Sequence, residues 1–283
     1  MKTITTIGDL RGQIAVWRCE GVKIGFAPTM GNLHAGHLSL IDRLREHGAL
    51  RIVVSIFVNP KQFGEGEDYV AYPRTLDDDC AQLTASGVDL LFAPEAGDIY
   101  QKSDSLAAQI NIPELSSDLC GSFRPGHFSG VLTVVAILFN LVQPDIAAFG
   151  QKDYQQLVMI SAMAKSLSMP VKIVSTPTVR AGDGLALSSR NQYLSDEERA
   201  IAPELYRALE RAVDGLKSRA DIQEIEAGGV LALRNAGFTV DYFSVRNAKT
   251  LARVNHSSGD IAVLAAARLG KTRLVDNLRT GKI

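Results

Sequence analysis

The order of apolar runs predicts an α/β protein: a Rossmann-like doubly wound parallel sheet over residues 1–178, then a smaller α+β domain over residues 179–283. Two features point to the sheet. Short β-branched runs read as strands buried on both faces, and amphipathic helical stretches alternate with them. The second domain follows from a change of pattern after about Val179, where two helical stretches precede three short strands separated by Gly, Asn and Ser.

Along the chain, residues 22–27 read as a strand ending at Pro28, and Leu38, Ile41 and Leu44 give a helical face directly after it. Residues 52–58, closed by Asn59-Pro60, read as a fully buried strand. Residues 75–86 read as a polar helix stopped by Gly87, and residues 88–92 as another strand. Phe128, Val131, Leu132, Val135, Phe139 and Val142 make a helical stripe. Residues 145–149 read as a strand, Leu157, Ile160, Ala164 and Leu167 as a helix face, and residues 171–174 as a strand. Ligands of such sheets sit at the carboxyl ends of the strands. Beyond residue 179, residues 196–216 and 222–236 read as two helices, and residues 241–246, 261–267 and 272–277 as strands most simply joined by hairpins.

The 283 residues hold 30 Lys and Arg against 31 Asp and Glu, a net charge of −1. That balance gives no bulk attraction to nucleic acid or to an anionic membrane. Cys19, Cys80 and Cys120 are odd in number and lack metal or redox spacing, so they predict neither a zinc site nor a disulfide frame and suit a reducing compartment. Residues 1–18 lack the apolar core of a signal peptide. The longest oily run, residues 131–142, falls short of the ~20 residues a bilayer requires. The expectation is a cytoplasmic protein whose partners are small molecules, with no nucleic acid and no membrane.

Three polar clusters carry the chemistry. Pro28-Thr29-Met30-Gly31-Asn32-Leu33-His34-Ala35-Gly36-His37 joins the first predicted strand to the first helix. His34 and His37, three apart at a helix start, share a face, where free amides and the positive dipole end favour a phosphate. The alternative is a tight turn with two surface histidines. Leu187-Ser188-Ser189-Arg190-Asn191 sets two hydroxyls before a guanidinium that can fork onto phosphate oxygens; a helix cap explains it about as well. Phe149-Gly150-Gln151-Lys152-Asp153 follows a predicted strand, with Lys152 as a compact charge and Asp153 as a possible cap. Together they gain weight, since each falls at the same end of one predicted sheet.

His34-Ala35-Gly36-His37 resembles the HIGH-type element of class I aminoacyl-tRNA synthetases and the related nucleotidylyltransferase superfamily, and Leu187-Ser188-Ser189-Arg190 a reduced form of their second phosphate loop. The chain more closely resembles the pantoate–β-alanine ligase family over essentially its whole length. Residues 28–37 are similar to that family's PTMGxLHxGH, residues 57–63 to FVNPxQF, Tyr72-Pro73-Arg74 to YPR, residues 124–128 to RPGHF, residues 149–156 to FGEKDxQQ, and residues 187–191 to LSSRN. Gln151 stands where the family has Glu, and Lys61 where Met is common.

The resemblance implies an ATP-dependent ligase that joins (R)-pantoate to β-alanine through a pantoyl-adenylate, releasing AMP and pyrophosphate, in the biosynthesis of pantothenate and coenzyme A. It implies that Met30, Gly31, Asn32, Leu33, His34, Ala35, Gly36 and His37 hold ATP, with both histidines on the phosphates and His37 as proton donor. Lys152 would sit at the α-phosphate, making His34, His37 and Lys152 the catalytic set. Gly150, Gln151, Asp153, Val179 and Leu187 would complete the nucleotide contacts, and Ser188, Ser189 and Arg190 would grip the outgoing phosphates. Gln62 and Gln156 would read pantoate, Gln62 also β-alanine. Arg124 and His127 would close over the phosphates, against an Arg124 that merely pairs with a surface carboxylate, and residues 64–68 would form a mobile lid, against a solvated acidic turn. ATP implies Mg²⁺; Asp78, Asp79 and Gln82 are its candidate ligands, against an ordinary solvated helix face. The family is typically a homodimer.

Three rival readings compete. The paired glutamines and the Leu187 loop weigh against another adenylyl- or cytidylyltransferase. A C-terminal part neither basic nor rich in aromatics weighs against a synthetase-like RNA binder. The pairing of His37 with Lys152 weighs against a non-catalytic nucleotide-binding regulator.

Overall fold

A computed structural model describes residues 1–100, 108–254 and 259–281. The chain divides into two compact units, Met1–Gly150 with Met159–Thr176, and Gln151–Val158 with Pro177–Ile283.

The first unit opens with β1 (Lys2–Ile4) and α1 (Ile7–Cys19), which the sequence patterns did not single out. Thr6 caps α1 by accepting from the Asp9 amide. There follow β2 (Ile24–Thr29), α2 (Ala35–Glu46), β3 (Arg51–Ile56), α3 (Leu76–Ala85) and β4 (Leu90–Phe92). Three four-residue helices, α4 (Ala96–Ile99), α5 (Pro113–Ser116) and α6 (Cys120–Phe123), lead to α7 (His127–Val142) and β5 (Ile146–Gly150). The part of the helix α8 (Tyr154–Ser166) from Met159 onward and β6 (Lys172–Thr176) complete it.

The strands form one sheet in the order β1-β4-β3-β2-β5-β6, every pairing parallel. From β2 the chain winds outward through β3 and β4, then returns to place β5 and β6 on the other side. The order therefore reverses between β2 and β5, and the crevice beyond the carboxyl ends of those strands is where such sheets bind ligands. Strand alternation gives each face its own core. Ala27, Ile52, Val54, Ile146 and Ala148 pack with Leu40, Ile41 and Leu44 of α2. On the other face Phe26 and Phe149 each meet Phe139 of α7 edge-on, with centroids 6.3 Å apart. Strand β2 runs through Pro28 to Thr29, past the predicted end. Its partner β5 pairs only with Gly25 and Phe26, so the missing Pro28 amide removes no ladder bond on that side.

In the second unit, α9 (Asp196–Ile201), α10 (Glu204–Lys217) and α11 (Ile222–Asn235) precede an antiparallel sheet of β7 (Thr239–Asn247), β8 (Ile261–Leu269) and β9 (Thr272–Arg279), in that order. Residues 196–216, predicted as one helix, are two; Pro203 has no amide to continue the first. Leu205, Leu209 and Val213 of α10 and Leu233 of α11 pack on Phe243, Val245, Val263, Ala265 and Ala267. Residues 151–158, assigned by the sequence to the first domain, group with this unit because hydrogen bonds tie them to it. The Asn277 amide donates to the Gln151 and Lys152 carbonyls at 2.7 and 2.9 Å, and the Tyr154 hydroxyl donates to the Ala248 carbonyl at 2.8 Å.

Gly130 lets α7 lie against the turn at Pro60–Gln62: a Cβ there would come within 2.1 Å of the Lys61 carbonyl oxygen. We predict that Gly130→Ala destabilises the fold by about 1–3 kcal/mol, as forced overpacking does, read as a lower urea midpoint.

Candidate active site

Strand β2 ends in a loop that needs left-handed backbone at two consecutive residues, Gly31 (φ +81°) and Asn32 (φ +51°), both types that tolerate it. The buried Asp79 carboxylate of α3 holds this loop, accepting from the Asn32 amide at 2.9 Å and the Leu33 amide at 2.7 Å. His34 is the N-cap of α2. Its Nδ1 accepts from the Gly36 amide at 3.1 Å, and Nδ1 of His37 accepts from the His34 amide at 3.3 Å. The rings lie 4.1 Å apart between centroids. A backbone N–H can only donate, so each Nδ1 is an acceptor, and in the neutral ring the proton sits on Nε2. Both half-buried imidazoles thus carry an Nε2–H donor.

The sequence reads the amides at the start of this helix as free for a phosphate; those of Asn32, Leu33, His34 and Gly36 are taken by Asp79 and by the two imidazoles. The histidines bring the donors; the backbone amides hold the histidines and their loop.

Gln62 is oriented by a chain of unambiguous bonds. Asn59, 1% exposed, accepts at Oδ1 from the Lys61 amide (3.2 Å) and the Tyr100 hydroxyl (2.8 Å), and its Nδ2 donates to the Gly130 carbonyl (3.1 Å). That leaves Nδ2 as the donor to Gln62 Oε1 at 3.1 Å, so Gln62 turns Nε2 away, toward Met30 Sδ at 2.9 Å. Sequence patterns missed Asn59, although the Asn before Pro60 was visible as a turn signal. Lys61 lays its ammonium 4.3 Å from the Tyr100 ring centroid.

Arg124 and His127 also act on this turn. Arg124 donates to Glu67 Oε1 at 2.7 Å through Nε and to Oε2 at 2.6 Å through Nη2. Its Nη1 lies 2.9 Å from His127 Nε2, which must accept because a guanidinium cannot. His127 Nδ1 then carries the proton and donates to the Gln62 carbonyl at 2.8 Å. Burial raises the Glu67 carboxyl, but the hydrogen bonds and charge of Arg124, with help from the Gly64 amide, hold it below its ordinary value. Residues 64–68, read as a lid, are therefore tied through Glu67 to Arg124.

The other residues that the sequence singles out, magnesium candidates aside, belong to the second unit or its boundary. Gly150 ends β5, and Gln151, Lys152 and Asp153 follow as a 3-10 turn. Gln151 is buried, Lys152 half-buried with its ammonium 3.4 Å from Asp153 Oδ2, and Gln156 half-buried in the first turn of α8. The Leu187 amide donates to the Val179 carbonyl at 2.9 Å, so these two residues lie side by side at the base of a hairpin. Ser188 caps the 3-10 turn Ser189–Tyr193 by accepting from the Arg190 amide at 3.3 Å. Arg180, in the same hairpin, forks onto Asp276 of β9 at 2.5 and 2.9 Å and lies 4.0 Å over the Tyr206 ring.

Among the described residues no group of three or more His, Cys, Asp or Glu assembles to hold a metal ion. Of the magnesium candidates, Asp79 spends its oxygens on the loop amides, Asp78 is exposed and Gln82 half-buried. This donor set does not make a protein cage. No helix among the described residues is long and apolar enough to cross a membrane.

Residues 2–279 match the family model described as pantoate-beta-alanine ligase. The chain is 52% identical to a pantothenate synthetase of Stutzerimonas stutzeri (98% of this chain, 97% of the relative) and 53% identical to one of Chromobacterium violaceum (98% and 99%). Its fold is similar to the crystal structure of pantothenate synthetase from Thermus thermophilus, with TM-score 0.90, 44% identity and coverage of 98% and 99%. It is also similar to the pantoate-beta-alanine ligase of Francisella tularensis complexed with beta-gamma ATP and beta-alanine, with TM-score 0.82, 34% identity and coverage of 99% and 98%.

Two predictions follow from the hydrogen bonds. Asp79→Ala strips the acceptor from two amides, at a cost of about 1–3 kcal/mol, seen as a lower urea midpoint. Because the Glu67 carboxyl is held low when folded, its pair with Arg124 adds stability above the ordinary value of 4.5 and loses it as pH falls through the lowered one. Wild type and Glu67→Gln differ in urea midpoint at neutral pH, and the gap closes in strong acid.

Proposed function

The chain belongs to the pantoate–β-alanine ligase family, and from that premise we propose how its own residues carry the reaction. The protein is an ATP-binding ligase of pantothenate biosynthesis that joins pantoate to β-alanine at the expense of ATP.

The reaction runs in two steps. The pantoate carboxylate attacks the α-phosphorus of ATP; a P–O bond forms and pyrophosphate leaves with the electrons of the broken bond. The β-alanine amine then attacks the carbonyl of the pantoyl-adenylate, the bond to AMP breaks and the amine gives up a proton. An anion attacks a polyanion in the first step, so donors must meet the charge that develops on the leaving phosphates. The observation that carries this assignment is the pair of imidazoles of His34 and His37, each presenting Nε2–H at the carboxyl end of β2. We assign both to the ATP phosphates, with the Nε2–H of His37 hydrogen-bonding the oxygens of the leaving group, on which charge builds as the bond breaks. The segment from Met30 to Leu33, with Ala35 and Gly36, shapes the nucleotide seat.

Lys152 takes up charge at the α-phosphate, and Ser188, Ser189 and Arg190 hold the outgoing phosphates. Gly150, Gln151, Asp153, Val179 and Leu187 complete the nucleotide contacts. Gln62, with Nε2 turned toward Met30, donates to pantoate oxygens; Gln156 is the second reader. A neutral amide binds the attacking carboxylate without over-stabilising it. Mg²⁺ would be held by the triphosphate itself rather than by Asp78, Asp79 or Gln82, and would supply neutralisation of phosphate charge. The chain works in the cytoplasm as a homodimer.

Pyrophosphate release requires pantoate and ATP, and pantothenate formation requires β-alanine as well; release that ignores pantoate contradicts the sequence of steps. With ¹⁸O in the pantoate carboxylate, one label appears in AMP, whereas label in phosphate or pyrophosphate contradicts the adenylate. His37→Ala and Lys152→Ala each lower kcat about 100-fold or more with the folded far-UV circular dichroism unchanged.

A further inference from the structure

Two consecutive residues of β9 grip two separate phosphate-handling segments of the second unit. Asp276, its side chain 2% exposed, takes the Arg180 fork on both oxygens, and Arg180 stands in the hairpin that leads through Val179 and Leu187 to Ser188, Ser189 and Arg190. Asn277, also buried, uses both hydrogens of Nδ2, one on the Gln151 carbonyl and one on the Lys152 carbonyl. Its own amide donates back to Asp276 Oδ1 at 2.8 Å. Burial pushes the Asp276 carboxyl up, and the Arg180 hydrogen bonds and charge, the Asn277 amide and the Lys152 charge all pull it the other way.

We propose that Asp276 and Asn277 are positioning residues, which set the backbone of Lys152 in register with the Val179–Arg190 segment through adjacent points on one strand. Neighbouring Cα atoms of a chain are about 3.8 Å apart and cannot separate, so the two grips share one rigid origin. Two acceptor carbonyls on one nitrogen demand an amide at residue 277. Alanine has no donor, and aspartate would set oxygen against oxygen. Misplacing a catalytic group by about 1 Å costs on the order of 100-fold in rate. Asn277 therefore acts on the reaction through Lys152. This rests on the assignment of Lys152 to the phosphate, and the test separates the two.

The experiment is a double-mutant cycle on the full-length enzyme with Asn277→Ala and Lys152→Ala, reading kcat, KM for ATP and the thermal midpoint. Asn277→Ala lowers kcat about ten- to a hundredfold, leaves KM for ATP within about twofold, and has no further effect once Lys152 is alanine. Unchanged kcat in Asn277→Ala, or an equal loss in both backgrounds, overturns the proposal. Near-normal activity of Lys152→Ala instead overturns the phosphate assignment beneath it. Asn277→Ser, which keeps one donor, is measured in parallel; if neither variant folds, Asn277 serves the fold alone and the proposal falls.

Discussion

The amide of Gly36 donates to Nδ1 of His34, and the amide of His34 donates to Nδ1 of His37. The orientation and tautomer of both rings hang on that exchange. Buried or half-buried backbone N–H groups must find acceptors, and at the start of α2 the nearest ones are the imidazoles. By accepting there, each ring is fixed in place and in tautomer, and its remaining nitrogen becomes a donor. Asp79 makes the arrangement possible one step earlier, by holding the amides of Asn32 and Leu33 where the chain turns from β2 toward α2.

The same logic recurs wherever a side chain has two possible orientations. Backbone groups are unambiguous, since an amide donates and a carbonyl accepts. The Lys61 amide and the Gly130 carbonyl orient Asn59, and Asn59 orients Gln62. The Gln62 carbonyl and Arg124 together fix the tautomer of His127. Two adjacent carbonyls fix the amide of Asn277. Side chains that look interchangeable in composition are thus set by the main chain to present one kind of atom.

Much of the fold was legible in the sequence because parallel strands buried on both faces leave dense β-branched runs, as at residues 52–56, and because the α7 stripe repeats at helical spacing. The edge strand β1 was not, since three residues with one buried side chain leave no pattern. The break between α9 and α10 was marked only by Pro203. For the site, the order of the polar clusters was readable, and their resemblance to a known family gave the reaction. The sequence could not show that Asp79 is a loop anchor, because three adjacent acids on a helix look alike until burial separates them. Asn59 and Asn277 were equally silent, since their role lies in contacts to Gly130 and to Gln151 and Lys152, far away along the chain.

The most direct test of this account is nitrogen-15 NMR of the two α2 histidines, assigned through His34→Gln and His37→Gln. At a pH where the rings are neutral, both show a protonated Nε2 and a bare Nδ1, and ATP shifts the Nε2 signals while the tautomers stay. A proton on Nδ1 of either ring, or Nε2 signals indifferent to saturating ATP, would contradict it.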